Sequence, residues 1–174
     1  MGRVDVRAAI QAQIQGLNIP YVGTVFPARP VIAQETAYNE TLSGMAVASS
    51  ADGSSCVIVV NMPDDHRVRM TDTGVGHVDD TNKHKIVLEL WFASTHGDAM
   101  AAQNDYDSIV DALIVGIRAN PTPGGSAVVW SAGQYSSGVD HSMSQPYASE
   151  EGLTILINGA IRYEAWEWVS GSNV

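Results

Sequence analysis

The chain has 174 residues, 45% of them hydrophobic, with nine Lys and Arg against nineteen Asp and Glu for a net charge of −10. That length suits one domain, taken as residues 1–174, and needs no disulfide or metal staple. The acidic balance repels phosphates and anionic lipid, which excludes tight nucleic-acid and membrane-surface binding.

Only 16% of the residues are charged, against roughly 25% in an average soluble protein. Small polar residues and sixteen glycines make up the difference, a composition suited to a surface covered by partners. Cys56 is the lone cysteine, so no internal disulfide can form, and the run CVIVV makes it a small buried hydrophobe. No segment approaches the ~20 apolar residues of a membrane span. MGRVDVRAAI shows no signal-peptide pattern, which leads us to expect a chain made and kept in a cytoplasm.

In chain order, DVRAAIQAQIQGL (5–17) predicts an amphipathic helix, with Val6, Ala9, Ile10, Ile14 and Leu17 on one face and Asp5 capping the first turn. YVGTVF (21–26) predicts a strand, cut off by Pro27 and Pro30. Residues 34–55 carry little periodicity and read as a long loop. CVIVVNM (56–62) reads as a strand, Pro63-Asp64-Asp65 as a turn, and 66–73 as its hairpin partner. Residues 74–82 read as a second loop. Lys83 to Ala93 alternates strictly: Ile86, Leu88, Leu90 and Phe92 face one way, Val87, Glu89 and Trp91 the other.

The corner His96-Gly97-Asp98 leads into residues 99–118. There Ala102, Tyr106, Ile109, Val110, Leu113 and Ile117 form a continuous helical stripe. Asp98 immediately precedes that stripe and is placed to cap it. AVVWSA (127–132) predicts a strand and residues 132–152 a third long loop. LTILI and AIRYEAWEWV flank Asn158-Gly159, a pair favoured in two-residue hairpin turns, so the chain is expected to close on a hairpin. The fold class expected is α+β, a mixed or antiparallel sheet carrying the N-terminal helix and one long helix.

Catalytic signatures are weak. There is no GxSxG elbow, Walker motif or dinucleotide fingerprint, and the histidines form no HxxxH or HExxH pair. No catalytic residue, metal ligand or cofactor is assigned. Two rivals stay open: a metal-dependent hydrolase using His66, His77, His96 or His141 with Asp64, Asp79 or Asp98, and a ligand-binding domain with Trp166 and Trp168 lining a pocket. Glu164 and Glu167 fall on opposite faces of their strand.

The order of elements resembles a known family. A capped helix (DVRAAIQAQIQGL) leads to a strand and Pro-rich turn (VGTVFPARP). A core strand then runs through a polar corner into a long helix (HKIVLELWFASTHGDAMAAQNDYDSIVDALIVGIRA), and a final hairpin closes the chain. This resembles the tail-terminator, or tail-completion, proteins of long-tailed bacteriophages, over residues 1 to about 30, 83 to 120 and 153 to 169. The resemblance implies a non-enzymatic virion protein of the tail neck. Six copies would close into a ring that ends tail-tube polymerisation and meets the head-completion or stopper protein, while DNA passes through the channel without specific binding. A head–tail stopper or a minor tail-tube protein shares much of this pattern. An acidic lumen would keep DNA mobile, and Asp72, Asp79 and Asp80 are the candidates to line it. Trp166, Trp168, Tyr135 and Tyr147 are candidates for subunit or tail contacts.

Overall fold

A computed structural model describes residues 3–31, 35–50, 53–63, 65–71, 78–125, 129, 131–133, 138–149 and 154–169. Among them the elements run α1 (Arg3–Gly16), β1 (Val22–Phe26), α2 (Glu35–Ser49), β2 (Ser54–Asn61), β3 (Asp65–Thr71), β4 (Val78–Ser94), α3 (Ala99–Ala119), β5 (Ser131–Ala132), β6 (Asp140–Met143), β7 (Tyr147–Ala148) and β8 (Ile155–Val169). The strands form one mixed sheet in the order β1-β2-β4-β8-β5. β3 also pairs with β4, and β6 and β7 also pair with β8. Among the described strands only β1 and β2 run parallel. The architecture is α+β, with an N-terminal helix and one long helix on the sheet.

The spine is the antiparallel β4–β8 ladder, paired from Asp80↔Val169 to Ser94↔Ile155. Strand alternation sorts its side chains onto two faces. On the first face Ile86, Leu88, Leu90 and Phe92 join Cys56, Ile58 and Val60 of β2 and Ile157, Ile161 and Tyr163 of β8. Onto this face pack Val6, Ile10 and Ile14 of α1 and the whole predicted stripe of α3. On the second face Val57, Val59, Trp91, Ala93 and Leu156 receive Leu42 and Ala46 of α2. Helices therefore clothe both faces, the second only in part. That explains why β2 reads as an unbroken apolar run rather than an alternation.

Several segments differ from expectation, each for a physical reason. Residues 35–49, within the expected 34–55 loop, form α2. ETAYNETLSGMAVAS is rich in Thr, Asn, Ser and Gly, weak helix formers, so tertiary burial of Leu42 and Ala46 carries the helix. β3 does not fold back on β2. It pairs with the first half of β4, Asp65↔His84 to Thr71↔Val78, while β2 pairs with the second half, Ser54↔Ser94 to Asn61↔Val87. The chain thus runs straight on past Pro63, which has no N–H to give a ladder and interrupts the line instead of reversing it. Of the expected 74–82 loop, residues 78–82 belong to β4 and 74–77 lie outside the described residues. Within the expected 132–152 loop, β6 and β7 pair with β8. The expected strand 127–132 is described as a strand only at Ser131–Ala132.

The closing hairpin is replaced by one continuous strand. β8 passes through Asn158-Gly159 without turning, so Leu156 lies opposite Ala93 and Ile161 opposite Leu88, not opposite each other. Gly159 serves close approach. A Cβ built there would stand 1.8 Å from the Tyr106 hydroxyl of α3 and 2.9 Å from the Ser142 carbonyl of β6. Glycine lets helix, strand and edge meet at one point.

Candidate functional site

The corner between β4 and α3 is built from hydrogen bonds. Gly97 takes a positive φ of 68°, and Asp98 follows in extended backbone. Its carboxylate accepts from the Met100 amide at 2.9 Å and the Ala101 amide at 3.5 Å, satisfying donors the helix start leaves open. The Thr95 hydroxyl donates to the carbonyls of Ser50 and Gly53, tying the corner to the end of α2. Ser54 donates to Asp105 at 2.7 Å and lies 3.1 Å from the Ser94 hydroxyl. His96 is exposed beside Gly53. Asp5 lies inside the first turn of α1 rather than ahead of it, where its charge suits the helix dipole.

The other histidines are dispersed. His141 Nε2 stands 3.1 Å from the Tyr106 hydroxyl, whose pKa burial pushes above the ordinary tyrosine range. His84 is buried, with Nε2 2.9 Å from Glu167 Oε2, and Asn82 reaches the same oxygen at 3.4 Å. Sequence reasoning missed this pair. Its members are 83 residues apart, and only the β4–β8 register brings them together. His66 holds a β3 ladder position opposite Lys83. His77, Asp64, Asp72 and Tyr135 lie outside the described residues. Among the described residues no three or more His, Cys, Asp or Glu side chains gather closely enough to hold a metal.

The second face of the sheet divides in two. Under α2 its polar centre is Glu89, only 8% exposed. Glu89 accepts from Arg29 Nε at 2.9 Å, from the Tyr38 hydroxyl at 2.9 Å and from Asn61 Nδ2 at 2.7 Å. Tyr38 meets Trp91 edge-on at 5.4 Å, and the Arg29 guanidinium lies 5.1 Å over the Tyr38 ring. Burial, with Glu89 adding to it, holds the Tyr38 phenol above its usual pKa range. With Arg29 Nη2 as well, four donors from three residues satisfy this buried carboxylate, and Tyr38 among them fastens α2 to the sheet.

Beyond α2 the same face carries Lys83, Lys85 and Val87 of β4 beside Arg162, Glu164 and Trp166 of β8. Lys83 Nζ stands 2.6 Å from Glu164 Oε1 and 5.5 Å from the Trp166 ring centre. Arg162 Nη1 donates to the Ser142 hydroxyl at 2.7 Å. Pro63, Lys85, Val87, Asp140, Arg162 and Glu164 help line an open hollow of about 400 Å³. Glu164 thus faces this hollow while Glu167, on the opposite face, is buried against His84.

Of the expected contact residues, Trp166 lies on the same face as this hollow, against Lys83. Trp168 occupies the ladder position opposite Thr81, and Tyr147 is 44% exposed at the far edge of the sheet. Asp79 and Asp80 hold ladder positions opposite Met70 and Arg69.

No family model and no curated protein matches the chain. Among solved structures, a chain described as "Virion of native gene transfer agent (GTA) particle" is similar over 92% of this chain and 93% of that chain. The identity is 12% and the TM-score 0.36, a likeness that carries no argument about fold or function.

Proposed function

We propose that this chain is a structural virion protein that forms a ring at the head-proximal end of a phage tail, ends growth of the tail tube and joins the tail to head-completion proteins. The order of its elements supports this reading, as does a charge-poor surface suited to partner contacts. The single observation that carries it is the half of the second sheet face lying beyond α2. There Lys85, Arg162 and Asp140 are exposed and carry charges of both signs, beside the half-buried Val87 and Trp166 and the Lys83–Glu164 pair. Aromatic and Arg side chains are enriched in protein interfaces, and a long ladder holds these ones in place before any partner arrives. DNA passing through such a ring would meet a chain of net charge −10, which disfavours adhesion to phosphates.

The test is growth of tail tubes with and without the purified chain, with lengths read by electron microscopy. The chain should halt elongation, and the double charge reversal Lys85→Glu with Arg162→Glu should weaken the halt at temperatures where circular dichroism shows the variant still folded. Tube growth unaffected by excess chain would contradict the proposal.

A further inference from the structure

Among the described residues the sheet has open edges on opposite sides. On one side β1 pairs only with β2 among the described strands, and Gly23 and Thr24 are exposed. On the other side the outer strands β6 and β7 pair only with β8, and Asp140, Ser142, Met143, Tyr147 and Ala148 are exposed. Unpaired strand edges are templates for another chain, and proteins commonly guard them with lysine or proline. Pro27 closes β1 and Pro146 separates β6 from β7, but VGTVF of β1, DHSM of β6 and YA of β7 themselves contain neither residue. Both edges also carry exposed apolar groups. Tyr21, 47% exposed, precedes β1, while Met143 at 39% and Tyr147 at 44% sit on the β6–β7 side.

Strand direction completes the argument. β1 runs parallel to β2, β2 antiparallel to β4, β4 to β8, and β8 to β6 and β7. β1 therefore runs opposite to β6 and β7. A second copy set beside the first with its strand axis preserved brings β1 against β6–β7 as an antiparallel ladder, the more favourable pairing.

We infer that β1 of one copy pairs antiparallel with the β6–β7 edge of the next, so that one sheet continues from subunit to subunit. The contact uses two different patches, and such a head-to-tail contact closes into a ring when its rotation divides the circle. The inference rests on the ring reading above and names the surfaces that make the ring.

Engineered cysteines test it. Thr24 is exposed beside buried Val25, in the stretch where the β1–β2 register shifts. Asp140 and Ser142 flank His141, which faces Tyr106 of α3, so they lie on the second face, and both are exposed. Two double variants, Thr24→Cys with Ser142→Cys and Thr24→Cys with Asp140→Cys, cover neighbouring registers. Each is oxidised mildly beside the three single variants, and free thiols are alkylated before denaturing electrophoresis. Native mass spectrometry of the same samples reports assembly. Cys56 is fully buried and should not contribute.

A double variant should give a ladder of covalent multimers ending at the ring, while each single variant stays uncrosslinked. Rings in the native spectrum without cross-links in either double variant would overturn the edge pairing and leave the ring reading standing. Equal cross-linking in a single variant would show two-fold pairing and overturn the head-to-tail arrangement. A monomer without cross-links at every concentration would overturn both.

Discussion

Gly159 is the residue on which three elements converge, since a methyl group there would collide with the Tyr106 hydroxyl and the Ser142 carbonyl. Gly159→Ala should therefore cost ~1–3 kcal/mol through overpacking. The cost should shrink in a Tyr106→Phe background, which removes the nearest atom. Chemical denaturation of the four proteins in that cycle measures both effects. A hairpin turn at 158–159 would show no such coupling to Tyr106. Asp98 offers a second residue-scale test. Asp98→Ala should cost ~0.5–2 kcal/mol, because two amides at the start of α3 lose their acceptor, and should leave assembly intact. Cys56 provides a third. Burial pushes its thiol from an ordinary 9.0 up to about 12, so the folded chain resists forming the thiolate. The stability this contributes is fully present below the unfolded value and is lost as pH rises from about 9 towards about 12. Melting temperatures between pH 8 and 11 should fall more steeply for the native chain than for Cys56→Ala.

At the scale of elements, legibility followed how much of each element's cause lies within it. The α3 stripe from Ala102 to Ile117 and the β4 alternation from Ile86 to Phe92 are periodic, and both pack as their spacing predicts. α2 has no such internal cause. Leu42 and Ala46 become helical contacts only when Val57, Val59 and Trp91 lie beneath them. Asn158-Gly159 misled for a similar reason. The pair suits a turn locally, but the 15-residue β8 gains more by staying extended along β4, and Tyr106 occupies the space a side chain would need. The Glu89 cluster and the His84–Glu167 pair were equally illegible, being long-range products of register. α3 carries a direct test of its two sides. Leu113→Asp puts a charge into the first-face core and should unfold the chain. Val115→Asp, at a position 65% exposed, should change stability by no more than ~0.5 kcal/mol. Circular dichroism melts of the two variants would separate them.

At the scale of the whole molecule, among the described residues the sheet is clothed by α1 and α3 on one side and half-clothed by α2 on the other, and its lateral strands end in open edges. That distribution of closed core and open periphery is consistent with the proposed ring, which would give each open surface an occupant. The most direct measurement is sedimentation of the purified 18.5 kDa chain across a wide concentration range, alone and with tail tubes. The account predicts a single closed oligomer of fixed mass that grows in proportion as concentration rises or tubes are added. A chain that sediments as a monomer throughout, tubes included, would contradict it.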